Sequence, residues 1–256
     1  MTSGPRMPAA LRRLWRLPDE PARVGRPAVL DVERVVAAAI ALADADGLSG
    51  VTLPKVATAL GVTSMSLYRH VGSKDELLTL MSDAALGEPP RVGTDARRWK
   101  DNLRAMSEAQ REVLSRHPWQ AWIPVTGPPS GPHHIAWMDA ILATLSGTRL
   151  SWGDKVEVMQ VIGGYVQQSL RMSQEMDAAR GEDVDEEAVL REYGMALFTL
   201  VDPQRFPEAA KLFRSDAFAG DPKGPDEPDA FHFGLEVILD GVEAVVHRAA
   251  RRHSPD

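Results

Sequence analysis

The residue types that could do chemistry are concentrated between positions 52 and 74. Two short helices are predicted there on either side of a tight turn at 61–63, the geometry that presents a second helix to the DNA major groove. Polar side chains of the second helix can bond phosphates or base edges, and Lys74 adds a cation beside free N–H groups at a helix start. Double-stranded DNA is therefore the expected partner, although a plain helical hairpin inside a bundle is an alternative. The candidate contacts are Thr52, Lys55, Thr63, Ser64, Met65, Ser66, Tyr68, Arg69, His70 and Lys74.

The distribution of charge bears on a nucleic-acid partner. The net charge of −7 argues against one, because affinity for phosphate depends on Lys and Arg. Residues 1–30, however, carry a net +4 from six arginines and two acids, whereas the remainder is acidic. We expect a flexible Arg/Pro-rich arm over 1–28. It either contacts DNA or is a solvated leader.

The elements that position these residues are all predicted to be helical. Apolar residues from Val32 recur with the period of one helix face, with Asp31, Thr52 and Ser73 as N-caps of successive helices. These helices predict a helix-turn-helix DNA-binding domain over residues 29–86. Beyond residue 87 there is no alternating β pattern, only long helical periods, including a helix over 152–179 that is apolar nearly all round. The expected fold is therefore all-α: a three-helix N-terminal helix-turn-helix domain and a larger helical ligand-binding and dimerisation domain over 87–256.

The sequence over about 30–78 strongly resembles the DNA-binding domain of the tetracycline-repressor (TetR) family. The resemblance rests on the Leu-Tyr-x-His element ending at His70 and the Lys-x-x-Leu element beginning at Lys74. It implies that Tyr68, His70 and Lys74 contact phosphate. Many members carry Arg where this chain has Pro54, so a usual phosphate or base contact is missing there. Lys55 and the arginine-rich arm are the candidates to supply that charge.

The last helix, over 229–252, resembles that of the subfamily closest to the tetracycline repressor itself. The resemblance implies a homodimer in which this helix and the long helix form a four-helix interface with their symmetry mates. Two glycines seven residues apart would allow close approach beside apolar neighbours, and closure of the helix's own domain is the alternative. The candidate dimer residues are Gly234, Leu235, Ile238, Gly241 and Val242.

A small-molecule cavity in the helical domain is also implied by the resemblance. Methionine and aromatic side chains line adaptable apolar pockets, although they also fill cores. We expect an apolar or aromatic inducer held by Met106, Trp119, Trp122, Met138, Tyr165 and Met172. No histidine after His117 stands where the tetracycline repressor places a magnesium ligand, and two adjacent helical residues, His133 and His134, are not expected to reach one ion. No metal and no cofactor is therefore predicted.

Several classes of protein are disfavoured by what the sequence does not contain. It has no cysteine, no segment typical of a membrane span or secretory signal, and no Gly-x-Ser-x-Gly, phosphate loop or His-Glu-x-x-His motif. We therefore expect a cytoplasmic, non-enzymatic protein: a ligand-responsive DNA-binding transcriptional regulator, of which a repressor released from a palindromic operator by an inducer is the leading form. The alternatives are a helical small-molecule-binding or sequestering protein without operator binding, and an activator of the same fold.

Overall fold

Helices account for all the regular structure of the described residues, which are 7–17, 30–93, 95–124, 127–180, 185–218 and 229–252 of a computed structural model. Three 3₁₀ helices, Ala96–Arg98, Pro118–Trp122 and Asp216–Phe218, join the α-helices. The all-α prediction is confirmed. The α-helices are α1 (Ala9–Leu14), α2 (Val32–Gly50), α3 (Leu53–Leu60), α4 (Ser64–Val71), α5 (Lys74–Leu86), α6 (Trp99–Arg116), α7 (Pro132–Thr144), α8 (Trp152–Arg180), α9 (Glu186–Leu200), α10 (Pro207–Leu212) and α11 (Ala230–Arg252).

The chain divides into two units, and each is described by itself. The first is Met1–Arg171 with Gly234–Asp256, and the second is Met172–Phe233. None of the described helices combines the length and the apolar character that crossing a membrane requires.

Helices α2 to α5 surround one apolar core at the N-terminal end of the first unit. Val35, Val56, Leu67 and Leu77 are fully buried in it. The N-caps that the sequence predicts are present: the Asp31 carboxylate accepts the Arg34 N–H at 2.8 Å, and Thr52 and Ser73 cap α3 and α5 in the same way. Such caps satisfy N–H groups that have no partner within the helix.

Part of the N-terminal arm packs on this core, which corrects the expectation of a flexible segment for residues 7–17. Leu14 of α1 is only 4% exposed and belongs to the same core cluster. Arg13 forms a two-pronged ion pair with Glu76 of α5, with Nη2 to Oε2 at 2.8 Å, and Arg16 pairs with Glu33 of α2 at 2.7 Å. The arm is held because its leucine is buried and two of its arginines meet acids. Residues 1–6 and 18–28 of the predicted arm lie outside the described residues.

Hydrogen bonds to Asp83 of α5 connect this helix to α7. Its carboxylate, 4% exposed, accepts the backbone N–H of His134 at 3.0 Å. The Nδ1 atoms of His134 and His133 lie 2.9 and 3.1 Å from its two oxygens. The two neighbouring rings reach different oxygens of this carboxylate, so the prediction that they do not meet at one metal ion is not tested by this contact. Since Gly131, the N-cap of α7, has no side chain, Asp83 caps that helix from α5.

Trp119 also connects helices α2 to α5 with the rest of the first unit. Its ring is 3% exposed and lies in the core cluster of α2 to α5. Its Nε1–H donates to Asp44 of α2 at 2.6 Å, and Asp44 also contacts His117 Nδ1 at 2.8 Å. The core of the DNA-binding helices is therefore completed by residues beyond position 87.

Candidate nucleic-acid interface

The helix-turn-helix is built by α3 and α4, joined by a left-handed glycine. Gly61 has φ +67°, a conformation that L side chains rarely adopt, and it ends α3 where the sequence predicts. Thr63 then begins α4, its hydroxyl accepting the Ser66 N–H at 3.3 Å. Thr52 does the same for the Lys55 N–H at the start of α3. Both threonines therefore cap a helix, in addition to the DNA contact that the sequence predicts for them.

Helix α4 presents one face to the core and the other to solvent. Leu67 and Val71 are fully buried, whereas Met65 is 71% and Tyr68 49% exposed. Arg69 is also exposed, and the predicted contacts Ser64, Ser66 and His70 are half-buried. Exposed tyrosine and methionine on a helix anchored by leucine and valine leave a face free to meet another surface.

Two lysines stand beside this face on neighbouring helices. Lys74 is exposed at the first position of α5, where Ser73 caps the helix and the N–H groups of the first turn favour anions. Lys55 is exposed in the first turn of α3, with Nζ 3.9 Å from the Asp46 carboxylate. The structure thus brings seven of the predicted DNA contacts onto α4 or its cap and sets Lys74 at the next helix start, with Thr52 and Lys55 at the start of α3.

Two ion pairs of the N-terminal arm neutralise acids of the helices around this core. Glu76 lies in the first turn of α5 and is met by the Arg13 guanidinium, while Glu33 in the first turn of α2 is met by Arg16. Gly72 makes room for the first pair, because it has φ +66° and a Cβ there would lie 2.8 Å from Arg13 Nη2. The sequence argument missed Arg13 and Glu76 as a pair because they are 63 positions apart.

Comparison with known proteins decides the family. The family model for "Bacterial regulatory proteins, tetR family" matches residues 35–81, and the model for "Tetracyclin repressor-like, C-terminal domain" matches residues 90–246. This chain belongs to the TetR family. The HTH-type transcriptional repressor DrrR1 of Streptomyces coeruleorubidus is 33% identical over 249 residues, covering 96% of this chain and 88% of that protein. The class A tetracycline repressor of transposon 1721 from Escherichia coli is 29% identical over 220 residues, 83% of this chain and 90% of the repressor.

Solved TetR-family structures share the fold. Apo ActR from Streptomyces coelicolor aligns with a TM-score of 0.71 at 24% identity, over 88% of this chain and all of ActR. ActR in complex with actinorhodin aligns with a TM-score of 0.70 at 24% identity, over 86% of this chain and 98% of ActR. Membership confirms the predicted class of function: the chain is a DNA-binding transcriptional regulator of the TetR family. Proteins of this TetR family are transcription regulators, not enzymes.

None of the six residues predicted to hold a TetR-type inducer lines the cleft of 510 Å³ beside α9 or the groove of 440 Å³ between α8 and α11. Met106 is buried with Leu86 and Trp137, and Trp119 belongs to the core of the DNA-binding helices. Trp122 is 40% exposed and lies beneath the Arg171 guanidinium at 4.2 Å. Met138 and Tyr165 are half-buried. Met172 is 56% exposed and belongs to the second unit. A ligand role for these side chains stays a prediction.

The residues predicted for a TetR-type dimer divide into two groups. Leu235 is fully buried, and a Cβ on Gly234 would clash with the Tyr165 ring, so both serve contacts within the protomer. The reason is that α11 crosses close to α8 at this point. By contrast, Ile238, Gly241 and Val242 line an apolar groove of 440 Å³ between α8 and α11, and Gly241 has no atom within 4 Å of its would-be Cβ. Leu235 therefore has no exposed surface to offer a partner, and a dimer role for the other four residues, of which Val242 is itself only 6% exposed, stays a prediction.

Another face of α11 is fastened to α6 by ion pairs. Lys100 Nζ lies 2.6 Å from Asp240 Oδ1 and 2.8 Å from Glu243 Oε2, and both contacts raise the lysine's pKa. Arg104 makes a fork with Glu236, with Nη2 to Oε2 at 2.9 Å, and this guanidinium lowers the pKa of Glu236. These contacts fix the rotation of α11, and with it the side that borders the groove with α8. The sequence argument did not find them.

Proposed function

We propose that this chain is a homodimeric repressor that inserts α4 into the major groove at each half of a palindromic operator and is released by a small apolar or aromatic inducer. The observation that carries the proposal is the division of α4, with Leu67 and Val71 fully buried while Met65 and Tyr68 are 71% and 49% exposed. A recognition helix needs such an anchored inner face and an open outer face.

The charges around α4 support DNA as the partner. Arg69, Lys55 and Lys74 are exposed, and the acids Glu76 and Glu33 form ion pairs with Arg13 and Arg16 of the N-terminal arm. Phosphate contacts position a protein on the duplex, and base-edge contacts specify the sequence. We assign positioning to Tyr68, His70 and Lys74, and base reading to the polar residues of the first turn of α4.

The groove between α8 and α11 supports the dimer. Val161 on α8 is 54% exposed and Val237 on α11 is 57% exposed, beside the apolar lining of the groove. Exposed apolar surface of this kind marks an association site. A second copy related by two-fold symmetry would present the same valines and Gly241, so the surface is self-complementary in type.

Release by an inducer follows as a shift between two states. A ligand that binds more tightly to the state whose recognition helices are wrongly spaced lowers operator affinity by the ratio of its two affinities. Complexes of the structural relative ActR with actinorhodin and with (S)-DNPA support a small-molecule effector.

The test is fluorescence anisotropy with DNA from upstream of the protein's own coding sequence. Tyr68→Ala and Lys74→Ala should each weaken binding by roughly 1–3 kcal/mol without unfolding the protein. Lys211→Ala is the matched control, because this exposed lysine lies on α10 of the second unit and pairs with Glu208. If both variants bind as the wild type does, α4 and Lys74 are not the DNA contacts.

A further inference from the structure

The first turn of α4 presents an apolar side chain to solvent. Met65 is 71% exposed, whereas Ser64 and Ser66, on either side of it, are half-buried. Tyr68 and Arg69, three and four positions later, are exposed on the same side of the helix. We call Met65, Tyr68 and Arg69 the outer face of α4. Met65 lies at the N-terminal end of this face, the end at which recognition helices contact base edges.

The position of Met65 is fixed by the structure around it. Thr63 caps α4 by accepting the Ser66 N–H at 3.3 Å, so the helix begins at a defined residue. Leu67 and Val71 are fully buried in the core of α2 to α5 and hold the opposite side of the helix. Because α4 is anchored at its start and along its inner side, docking it in the major groove would place Met65 at one defined position along the DNA.

The chemistry of methionine limits what Met65 can contact in the major groove. The edges of the base pairs carry hydrogen-bond donors and acceptors, and the apolar group among them is the C5 methyl of thymine. A thioether has no N–H or O–H and is only a weak acceptor, so it cannot replace the water that a polar base edge loses on contact. Its unbranched, polarisable chain adapts well to an apolar neighbour. The base that complements Met65 is therefore thymine.

We propose that Met65 selects thymine at one position in each half of the operator by contacting its C5 methyl group. This rests on the proposed function, because it requires α4 to lie in the major groove. It adds an apolar contact to those of the polar residues of the same turn. A homodimer makes the contact twice, so this one side chain selects thymine at two symmetry-related positions.

The experiment uses fluorescence anisotropy to compare two versions of the DNA upstream of the protein's own coding sequence, one amplified with dTTP and one with dUTP. Deoxyuridine keeps the hydrogen-bonding edge of thymine and lacks only the C5 methyl group. Loss of one buried methyl group lowers affinity by about fourfold, so over two half-sites the wild type should bind the uridine DNA roughly tenfold more weakly.

Replacements of Met65 test whether this side chain is responsible for the difference. Met65→Gln should bind both DNAs with nearly equal affinity, because the amide gains nothing from the methyl group. Met65→Leu, which stays apolar and similar in volume, should keep the preference for thymine DNA. Since Met65 is exposed, both variants should fold as the wild type does.

Two control variants separate base reading from other effects. Met195→Gln makes the same change at a methionine that is 67% exposed on α9 of the second unit, and it should keep the wild-type affinities for both DNAs. Lys74→Ala should weaken binding to both DNAs by the same factor, because a phosphate contact does not depend on the base.

The possible failures can be told apart. Equal affinity of the wild type for the two DNAs would overturn this proposal and leave the proposed repressor function intact. A uridine effect of the same size in the wild type and in Met65→Gln would also overturn it, because the methyl groups would then act through another residue or through DNA shape. Binding to neither DNA would contradict the proposed function, and this proposal with it.

Discussion

Replacement of Asp83 is the most direct test of the join between the DNA-binding helices and α7. In Asp83→Ala, the N–H of His134 loses its acceptor and α7 loses the carboxylate that caps it. Loss of this capping hydrogen bond, which leaves a part-buried donor without its acceptor, costs about 1–3 kcal/mol. We expect destabilisation of roughly 1–3 kcal/mol, or a fall in Tm of roughly 2–12 °C for a chain of this size.

The pH dependence of the protein's stability tests the same Asp83 contacts independently. Burial acts to raise the pKa of Asp83, but hydrogen bonds from the ring and backbone of His134, its charge, and the contact with His133 outweigh burial and lower it. A carboxyl whose pKa is lower when folded stabilises the protein above its unfolded pKa of about 4, and that stabilisation is lost as pH falls through the folded pKa. Asp83→Asn should therefore be less stable than wild type at pH 7, with a difference that shrinks on acidification.

The measurement is thermal unfolding of both variants between pH 7 and pH 3, with Asp139→Asn as control. Asp139 is exposed on the same helix, α7, so its replacement should shift Tm by little at any pH. An Asp83→Ala protein with the wild-type Tm, or an Asp83→Asn difference that stays constant down to pH 3, would refute the reasoning.

Three further perturbations follow from the structure. Gly241→Glu should yield monomers by light scattering, because the charge would be desolvated against its own symmetry copy; a variant that remains dimeric would place the interface outside the groove of α8 and α11. Deleting residues 1–17 should lower stability in urea by roughly 2–4 kcal/mol, since Leu14 leaves the core and Glu76 loses Arg13, whereas deleting only 1–6 should change little. Trp119→Phe keeps an aromatic ring in the core but removes the N–H that donates to Asp44, so the free energy of unfolding in urea should fall by about 1 kcal/mol. An unchanged urea midpoint would show that this hydrogen bond does not stabilise the protein.

Local features of the DNA-binding helices were predictable from the sequence, whereas contacts between distant segments were not. Thr52 and Ser73 cap their helices as the sequence predicts, and Thr63 caps α4 in the same way. Such a cap joins residues only three positions apart, so the local sequence is enough to predict it. Asp83 and His134 are 51 positions apart, and Arg13 and Glu76 are 63 apart, so no periodicity in the sequence connects them.

The same distinction explains the mixed outcome for the candidate residues. The inner and outer faces of α4 follow from helical period alone, so Leu67 and Tyr68 lie where they were expected. Leu235 shares the period of the dimer face but is fully buried, and Gly234 lies against the Tyr165 ring of α8, a contact that the period of α11 alone does not reveal. The methionines and tryptophans suggested a cavity, but residue type alone could not distinguish a core residue such as Trp119 from a residue that lines a pocket.

The position of Trp119 in the core of the DNA-binding helices has a consequence for how the protein is made. The bond from Trp119 to Asp44 spans 75 positions, so the N-terminal helices leave the ribosome before the residue that completes their core has emerged. Domains generally fold as units in the order of synthesis. The nascent helices α2 to α5 therefore lack one buried side chain of their core until residue 119 has emerged. A truncated translation product that ends before this residue would carry the predicted DNA contacts on a core without Trp119 and without its bond to Asp44.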